Sequence, residues 1–252
     1  MPKYALIIVI VFALLLSALT AAMAVTDEAL VGYWPFNEGA GNIAVDASGN
    51  GHDGELIDNP SWVQGKYGSA LAFGVGSEYV VVPDDDALDL SDAVTYMGWL
   101  NLREPIEGQR RMMSKNDSIF FLFDFSDPGS LDFLVKPNND FTESVTTDWV
   151  LGDWYHFAGT YDGDALRIYI NGVLEGETPG VAPIATSDLD LWIGADDYTL
   201  PTTTFPGTLD EIRIYNVALT EGEIGEVMES STAVSMDAVK LPVAWGEIKL
   251  TP

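Results

Sequence analysis

The sequence predicts an all-β domain made of two stacked antiparallel sheets, closed by one short C-terminal helix. Three observations carry this. Short apolar or alternating segments recur along the chain, separated by clusters of Gly, Pro, Asn and Asp. The stretch Trp154 to Gly172 reads as two strands and two turns. No helical repeat interrupts the run of strands before Thr220.

The hairpin shows the pattern best. Tyr155, Phe157, Gly159 and Tyr161 alternate with His156, Ala158 and Thr160, as a pleated strand requires. Asp162-Gly163 supplies residues that tolerate positive φ at the turn. Leu166, Ile168 and Ile170 then face one way, and Arg167 and Tyr169 the other, until Asn171-Gly172 turns the chain again. In chain order, strands are expected at 29–36, 54–57, 70–73, 79–82, 94–102 and 112–115. Further strands are expected at 119–124, 131–135, 155–161, 166–170, 189–193 and 208–215. Thr220 followed three residues later by Glu223 is a capping box and predicts a helix to about Glu229.

Composition narrows the function classes. The chain carries 39 acidic against 11 basic residues, a net charge of −28. A field of that sign repels phosphate backbones, which excludes nucleic acid as a partner. The acidity suits either a solvated surface in a salty or calcium-containing exterior, or divalent-cation binding. With no cysteine, a disulfide framework, a thiolate metal site and a cysteine nucleophile are all excluded.

Residues 1–24 read as a secretory signal: Lys3, an apolar run to Leu16, and an Ala22-Met23-Ala24 cleavage site. The alternative is an uncleaved anchor. No other segment is apolar enough to insert in a membrane, so the mature chain is expected to be secreted, extracellular or at the cell surface. Residues 25–229 form the domain. Residues 230–252 are a tail, in which the apolar, mildly basic stretch Lys240–Leu250 is a docked last strand or a terminal attachment signal.

The hairpin string Trp154-Tyr-His-Phe-Ala-Gly-Thr-Tyr-Asp-Gly163 with Leu166-Arg-Ile-Tyr-Ile-Asn-Gly172 resembles the LamG-like jelly-roll domain of the concanavalin A-like lectin/glucanase superfamily. Other blocks come in the family's order. They are Gly32-Tyr-Trp-Pro-Phe-Asn-Glu38, Asp46-Ala-Ser-Gly-Asn-Gly-His-Asp-Gly54, Gly68-Ser-Ala-Leu-Ala-Phe-Gly74, Tyr79-Val-Val-Val-Pro83, Leu191-Trp-Ile-Gly194 and Gly207-Thr-Leu-Asp-Glu-Ile-Arg-Ile-Tyr-Asn216. The resemblance covers residues 29–229 and implies a two-sheet antiparallel jelly-roll sandwich. The fold by itself hosts lectins, adhesion modules and enzymes alike.

Asp46, Ser48 and Asn50 place side-chain oxygens at alternate positions before Gly51, as in the first half of an EF-hand loop. Position 12 is Ile57 instead of the bidentate Glu, so an EF-hand is rejected. The resemblance implies a structural calcium tying this loop to a late strand through Asp210. Asp46, Asn50 and Asp210 are the expected side-chain ligands, completed near His52 and Glu38. Strict alternation puts Asp210 with Ile212 and Ile214 on the inward face, where a bare carboxylate is costly. The other readings of Asp210 are a carboxylate that accepts backbone N–H groups, caps a loop, or pairs with an arginine.

Catalysis finds no support. The Glu-x-Asp-x-Glu strand motif of the superfamily's glucanases is missing, as is a Gly-x-Ser-x-Gly elbow. Sugar binding needs exposed aromatic faces, for which Trp62, Tyr67, Trp149, Tyr198 and Phe205 are the candidates outside regular strands. Trp99, Trp154 and Trp192, and His156 in the family strand, read as core or structural residues. The expected function is a secreted, non-catalytic carbohydrate-binding or adhesion module with an extracellular glycan or glycoprotein as partner. The alternatives are a structural envelope component held through the tail, or a glycan-active enzyme. The chain carries no signal for an oligomeric state.

Overall fold

The computed structural model describes residues 28–74, 76–123, 129–144, 148–196 and 203–237. The signal, the tail beyond Asp237 and Tyr198 lie outside them.

The first strands are β1 (Leu30–Trp34), β2 (Ile43–Ala44), β3 (Gly54–Ile57), β4 (Ser61–Gln64), β5 (Ser69–Ala72) and β6 (Tyr79–Val82). Then come β7 (Val94–Leu102), β8 (Arg110–Lys115), β9 (Ile119–Phe123), β10 (Leu131–Val135) and β11 (Asp140–Glu143). The last are β12 (Trp154–Tyr161), β13 (Leu166–Ile170), β14 (Val173–Thr178), β15 (Leu191–Ile193) and β16 (Gly207–Tyr215), with helix α1 (Glu221–Asp237) after them. One sheet runs β14-β13-β12-β7-β16-β5-β4, with β1 paired to the second half of β16. The other runs β11-β10-β9-β8-β15-β6-β3-β2. All pairings between these strands are antiparallel, as expected for a two-sheet sandwich.

Each expected strand is present within two residues at its ends. Four short strands, β2, β4, β11 and β14, were not predicted. All are sheet-edge elements or neighbours of an edge, with mixed polar sequences and partly exposed residues that blur the period-two signal. The helix also runs eight residues past its expected end, to Asp237, into the stretch expected as tail.

Alternation explains the core. Val94, Tyr96, Leu100 and Leu102 of β7, Phe157 and Tyr161 of β12, and Leu166, Ile168 and Ile170 of β13 pack between the sheets. They meet Ile119, Phe121, Phe123, Leu131, Phe133, Leu191 and Ile193 from the facing sheet. Gly159 belongs to this inner face, where a Cβ would lie 2.5 Å from the Phe133 ring and 2.7 Å from Phe121. The sheets close on one another there only because that residue has no side chain.

The outer face of the β7–β16 sheet is covered too. Met97, Ala158, Tyr169 and Tyr215 form a second cluster with Leu219, Ile224 and Val227. The helix contributes its residues at 224 and 227 to that cluster, one turn apart on one face. Its start is the expected capping box: the Glu223 N–H donates to Thr220 Oγ1 (3.3 Å), and Glu223 Oε2 accepts the Thr220 N–H (2.8 Å). Being covered on both sides is why all nine residues of β7 are buried.

Candidate functional site

Among the described residues, polar side chains gather on the outer face of the central strands, in the Asp46 loop, and at the end of the sandwich where several long connections meet.

On the outer face, His156 of β12, Trp99 of β7 and Asp210 of β16 stand side by side in register. The Trp99 and His156 rings meet edge to face at 5.2 Å. The placement of Asp210 corrects the expectation from strict alternation. Register shifts between Asp210 and Arg213, and Glu211 takes φ 55°. This bulge inserts an extra residue and reverses the parity of the strand beyond it. Leu209, Ile212 and Ile214 all reach the core, while Asp210 shares the outer face with Trp99.

Asp210 is nonetheless fully buried, because the turn from Gly65 to Ser69 closes over it. The Tyr67 N–H donates to Asp210 Oδ2 (3.0 Å), and the Ser69 N–H donates to Asn37 Oδ1 (3.0 Å). A Cβ on Gly65 would lie 2.6 Å from Asp210 Oδ2, and one on Gly68 2.0 Å from Asn37 Oδ1. Glycine at both positions lets the turn sit down onto the two side chains. Lys66 Nζ lies 4.2 Å above the Trp99 ring, and Tyr67 meets that ring edge-on.

Under this turn Asp210 Oδ1, Trp99 Nε1 and His156 Nδ1 are buried without a hydrogen-bond partner. Burial pushes the Asp210 carboxyl up to about 8, against the pull of N–H donors including Tyr67. Burial, reinforced by the Arg213 charge, drives His156 down to about 3, so its imidazole is neutral. Beside the row, Glu211 Oε2 accepts both the Tyr33 hydroxyl and Arg213 Nη2 at 2.7 Å. Arg213 also lies over the Tyr33 ring at 4.0 Å.

The Asp46 loop is built around an anion. Asp46 Oδ1 accepts the Tyr33 and Ser48 N–H groups, both at 2.9 Å. Its Oδ2 accepts the Ser48 hydroxyl (2.8 Å) and the N–H groups of Gly51 (3.1 Å) and His52 (3.0 Å). Burial alone would raise the Asp46 pKa, but the Ser48 hydroxyl and the Tyr33, His52 and Ser48 N–H groups outweigh it and hold the carboxyl below its ordinary value. Asn50 Nδ2 donates to the Leu30 and Val31 carbonyls, both at 2.9 Å. His52 Nδ1 lies 3.0 Å from the Val31 carbonyl, so that nitrogen carries the proton. Glu38 Oε1 accepts the Val45 N–H (2.8 Å), and its Oε2 is buried without a partner.

The five expected calcium ligands are therefore not gathered into one shell. Among the described residues, no group of three or more His, Asp or Glu side chains is arranged to hold a metal ion. Asp46 is filled by N–H groups and the Ser48 hydroxyl, while Asn50 Nδ2 and His52 Nδ1 turn to carbonyls of β1. Asp210 Oδ1 and Glu38 Oε2, buried oxygens with nothing to accept, are the atoms of the set that fit an oxygen-seeking cation. Asn37, next to the expected Glu38 in the block Gly32–Glu38 but not singled out there, holds the same turn as Asp210.

At the end of the sandwich, register brings distant connections together. Leu102 at the end of β7 faces Gly207, Asn101 faces Trp154, and Arg110 faces Phe123. Phe73, Gly74, Arg103, Glu104 and Pro206 line a cleft of about 400 Å³ here. Phe73 and Pro206, both buried, close its base, and exposed Arg103 and Glu104 form a charged rim. The surrounding backbone is fixed. The Gly74 N–H donates to Glu78 Oε2 (2.6 Å), the Phe73 N–H to the Gly207 carbonyl (2.8 Å), and the Gly76 N–H to Thr204 Oγ1 (3.1 Å). Arg111 pairs with buried Asp196, which also accepts the Thr203 hydroxyl (3.0 Å).

The aromatic candidates separate by burial. Phe205 is fully buried and stacks on Phe123 inside the core, which corrects its expectation as a ligand contact. Trp62 is half-buried, its Nε1 donating to the Gly41 carbonyl (3.1 Å). Tyr67 belongs to the turn over Asp210. Trp149 is half-buried at the cleft end of the molecule, where its Nε1 donates to the Gly129 carbonyl (2.5 Å) beside exposed Val150 and Leu151. Trp192, expected in the core, is instead half-buried on the outer face of its sheet, stacked at 4.1 Å on Tyr79. Alternation with buried Leu191 and Ile193 was the signal for that.

A family model, Laminin_G_3 of the concanavalin A-like lectin/glucanases superfamily, matches residues 74–225, more than half of the chain. A search of curated proteins returns no significant sequence match. Among solved structures, the binding domain of Paraclostridial Mosquitocidal Protein 1 superposes with a TM-score of 0.66 at 15% identity, over 81% of this chain and 53% of that one. Domain 4 of AbnA, a GH43 extracellular arabinanase from Geobacillus stearothermophilus, solved with arabinotriose, gives 0.63 at 21% identity over 79% and 97%. The Botulinum neurotoxin serotype D ligand binding domain, in complex with N-acetylneuraminic acid, gives 0.63 at 13% identity over 83% and 52%. The chain spans about half the length of the two toxin domains and nearly all of the arabinanase domain. At these identities the superpositions speak for the fold; with the family match, the chain belongs to the concanavalin A-like lectin/glucanase superfamily.

Proposed function

We propose that this protein is a non-catalytic glycan-binding module that works outside the cell, with the loop-end cleft as its sugar site. The observation that carries the reading is the cleft itself. It has charged groups at the rim for sugar hydroxyls and a hydrogen-bonded frame that holds them in place. Its volume suits a short saccharide. Two of the similar structures were solved with saccharides, arabinotriose and N-acetylneuraminic acid, which supports a carbohydrate as ligand class.

A calcium ion at Asp210 Oδ1 belongs to the same proposal. It would neutralise the one buried carboxylate that burial alone drives towards protonation, and so fasten the Gly65–Ser69 turn to β16. The experiment is a glycan array probed with the mature protein in calcium and again in chelator. Saturable retention on defined glycans supports the module. Retention on none in either condition removes it, and release of sugar from a polysaccharide panel would replace it with an enzyme.

A further inference from the structure

The chain is poor in cations, and four of the eight described Lys and Arg are held in the following ion pairs. Lys115 is buried against Asp84 and Asp89, and Arg167 pairs with Asp162 and Glu177. Arg213 pairs with Glu211, and Arg111 with Asp196. Arg103, like Lys66 and Lys136, has no ion-pair partner among the described residues, and of these three it is the one that lines the cleft. Glu104 comes next on the same rim without pairing to it. Arg110 and Arg111 begin β8 just beyond, so three of the chain's eleven Lys and Arg fall within the nine residues 103–111.

An exposed guanidinium left unpaired amid excess carboxylate is a vacant anion-binding fork. Its planar pair of N–H donors matches a carboxylate bidentately, which a lysine cannot do. The rest of the molecule opposes anions, but at physiological salt its charge is screened beyond about 8 Å, so the charges that act in the cleft are those of its own rim, Arg103 and Glu104. Exposed Glu104 on the same rim would accept hydroxyl hydrogens.

Resting on the glycan-binding reading above, we propose that the cleft selects acidic sugars, with Arg103 clasping the carboxylate of a uronic- or sialic-acid residue. The test measures binding of the mature protein to trigalacturonate and to its methyl ester, and to 3′-sialyllactose and lactose, at physiological salt. The ester keeps the shape and removes the charge. At least one acid is expected to bind ten-fold or more tightly than its neutral counterpart. Arg103→Gln should erase that difference, while Arg103→Lys restores only part of it. Arg103 is exposed, so the variants keep the wild-type circular dichroism and melting temperature. If acid and neutral forms bind alike, or Arg103→Gln leaves the ratio unchanged, acidic selection is overturned while the glycan module stands. If no glycan binds at all, acidic or neutral, both readings fall.

Discussion

At the scale of single residues, Asp210 and His156 are neighbours that titrate in opposite senses. Native Asp210 keeps its proton up to about pH 8, whereas the unfolded chain loses it near 3.8. The native state therefore holds the extra proton, and this residue makes stability fall as pH rises through that window. Native His156 stays neutral down to about 3, whereas the unfolded chain takes up a proton below 6.5, so this residue makes stability rise with pH over that range. The two slopes oppose each other from about pH 4 to 6.5, and Asp210 acts alone from 6.5 to 8. In chelator, melting temperature is expected to decline across the upper interval, and Asp210→Asn to abolish that decline. Calcium should lift the wild-type melting temperature more at pH 8 than at pH 6, because at the lower pH it must displace a proton. An Asp210→Asn protein that still gains from calcium would rule the residue out as a ligand.

Asp46 behaves as the opposite kind of carboxylate. Its folded pKa is lowered, so its contribution is present above the unfolded value of 3.8 and is lost as pH falls through the folded one. Asp46→Ala leaves its five donors without their acceptor and should cost about 3 kcal/mol or more in urea denaturation. The loss should be the same with calcium and with chelator, since the loop is closed by hydrogen bonds. The acidic character of both sites was legible in the sequence, but the division of labour between them was not. Spacing alone cannot tell a carboxylate that faces N–H groups from one that faces a cation. Nor did any glycine mark the bulge at Glu211, which turned Asp210 to the other side of its sheet.

Among the elements, legibility tracked burial contrast. The β12–β13 hairpin could be read residue by residue because one face is apolar and Asp162-Gly163 punctuates it. The edge strand β14, Val-Leu-Glu-Gly-Glu-Thr, has no such contrast and was missed. The helix start was legible through Thr220 and Glu223, and Thr220→Ala should cost about 1 kcal/mol in equilibrium unfolding by removing the cap. A larger demand falls on Gly159. Gly159→Ala puts a methyl group into the Phe121 and Phe133 rings, and about 1–3 kcal/mol of destabilisation is expected from overpacking. A melting temperature unchanged by that substitution would mean that the two sheets have room to separate.

For the molecule as a whole, the net charge of −28 sets the response to salt. Monovalent salt should raise the melting temperature by screening repulsion among surface carboxylates. Any further rise with millimolar calcium in saturating sodium chloride then reports a specific site. The cleft was invisible in the sequence because Phe73, Arg103 and Pro206 stand far apart in the chain and meet only through strand register. The family fold was visible because its blocks are local.

The borders of the two sheets carry a consequence for crowding. On one side Thr178 Oγ1 of β14 donates to the Phe141 carbonyl of β11 (2.8 Å), so the last strands of both sheets lean on each other. The opposite borders are β4, four residues long and entered through Pro60, and β2, only two residues long. An unpaired backbone ladder is a template on which another copy can grow, and these are too short to serve as one. The longer β14 carries Glu175 and Glu177, which set like charges against each other if two copies approach strand to strand. A surface coated densely with this domain would thus stay a layer of separate modules, each free to bind, and resist fusing into a continuous β-structure.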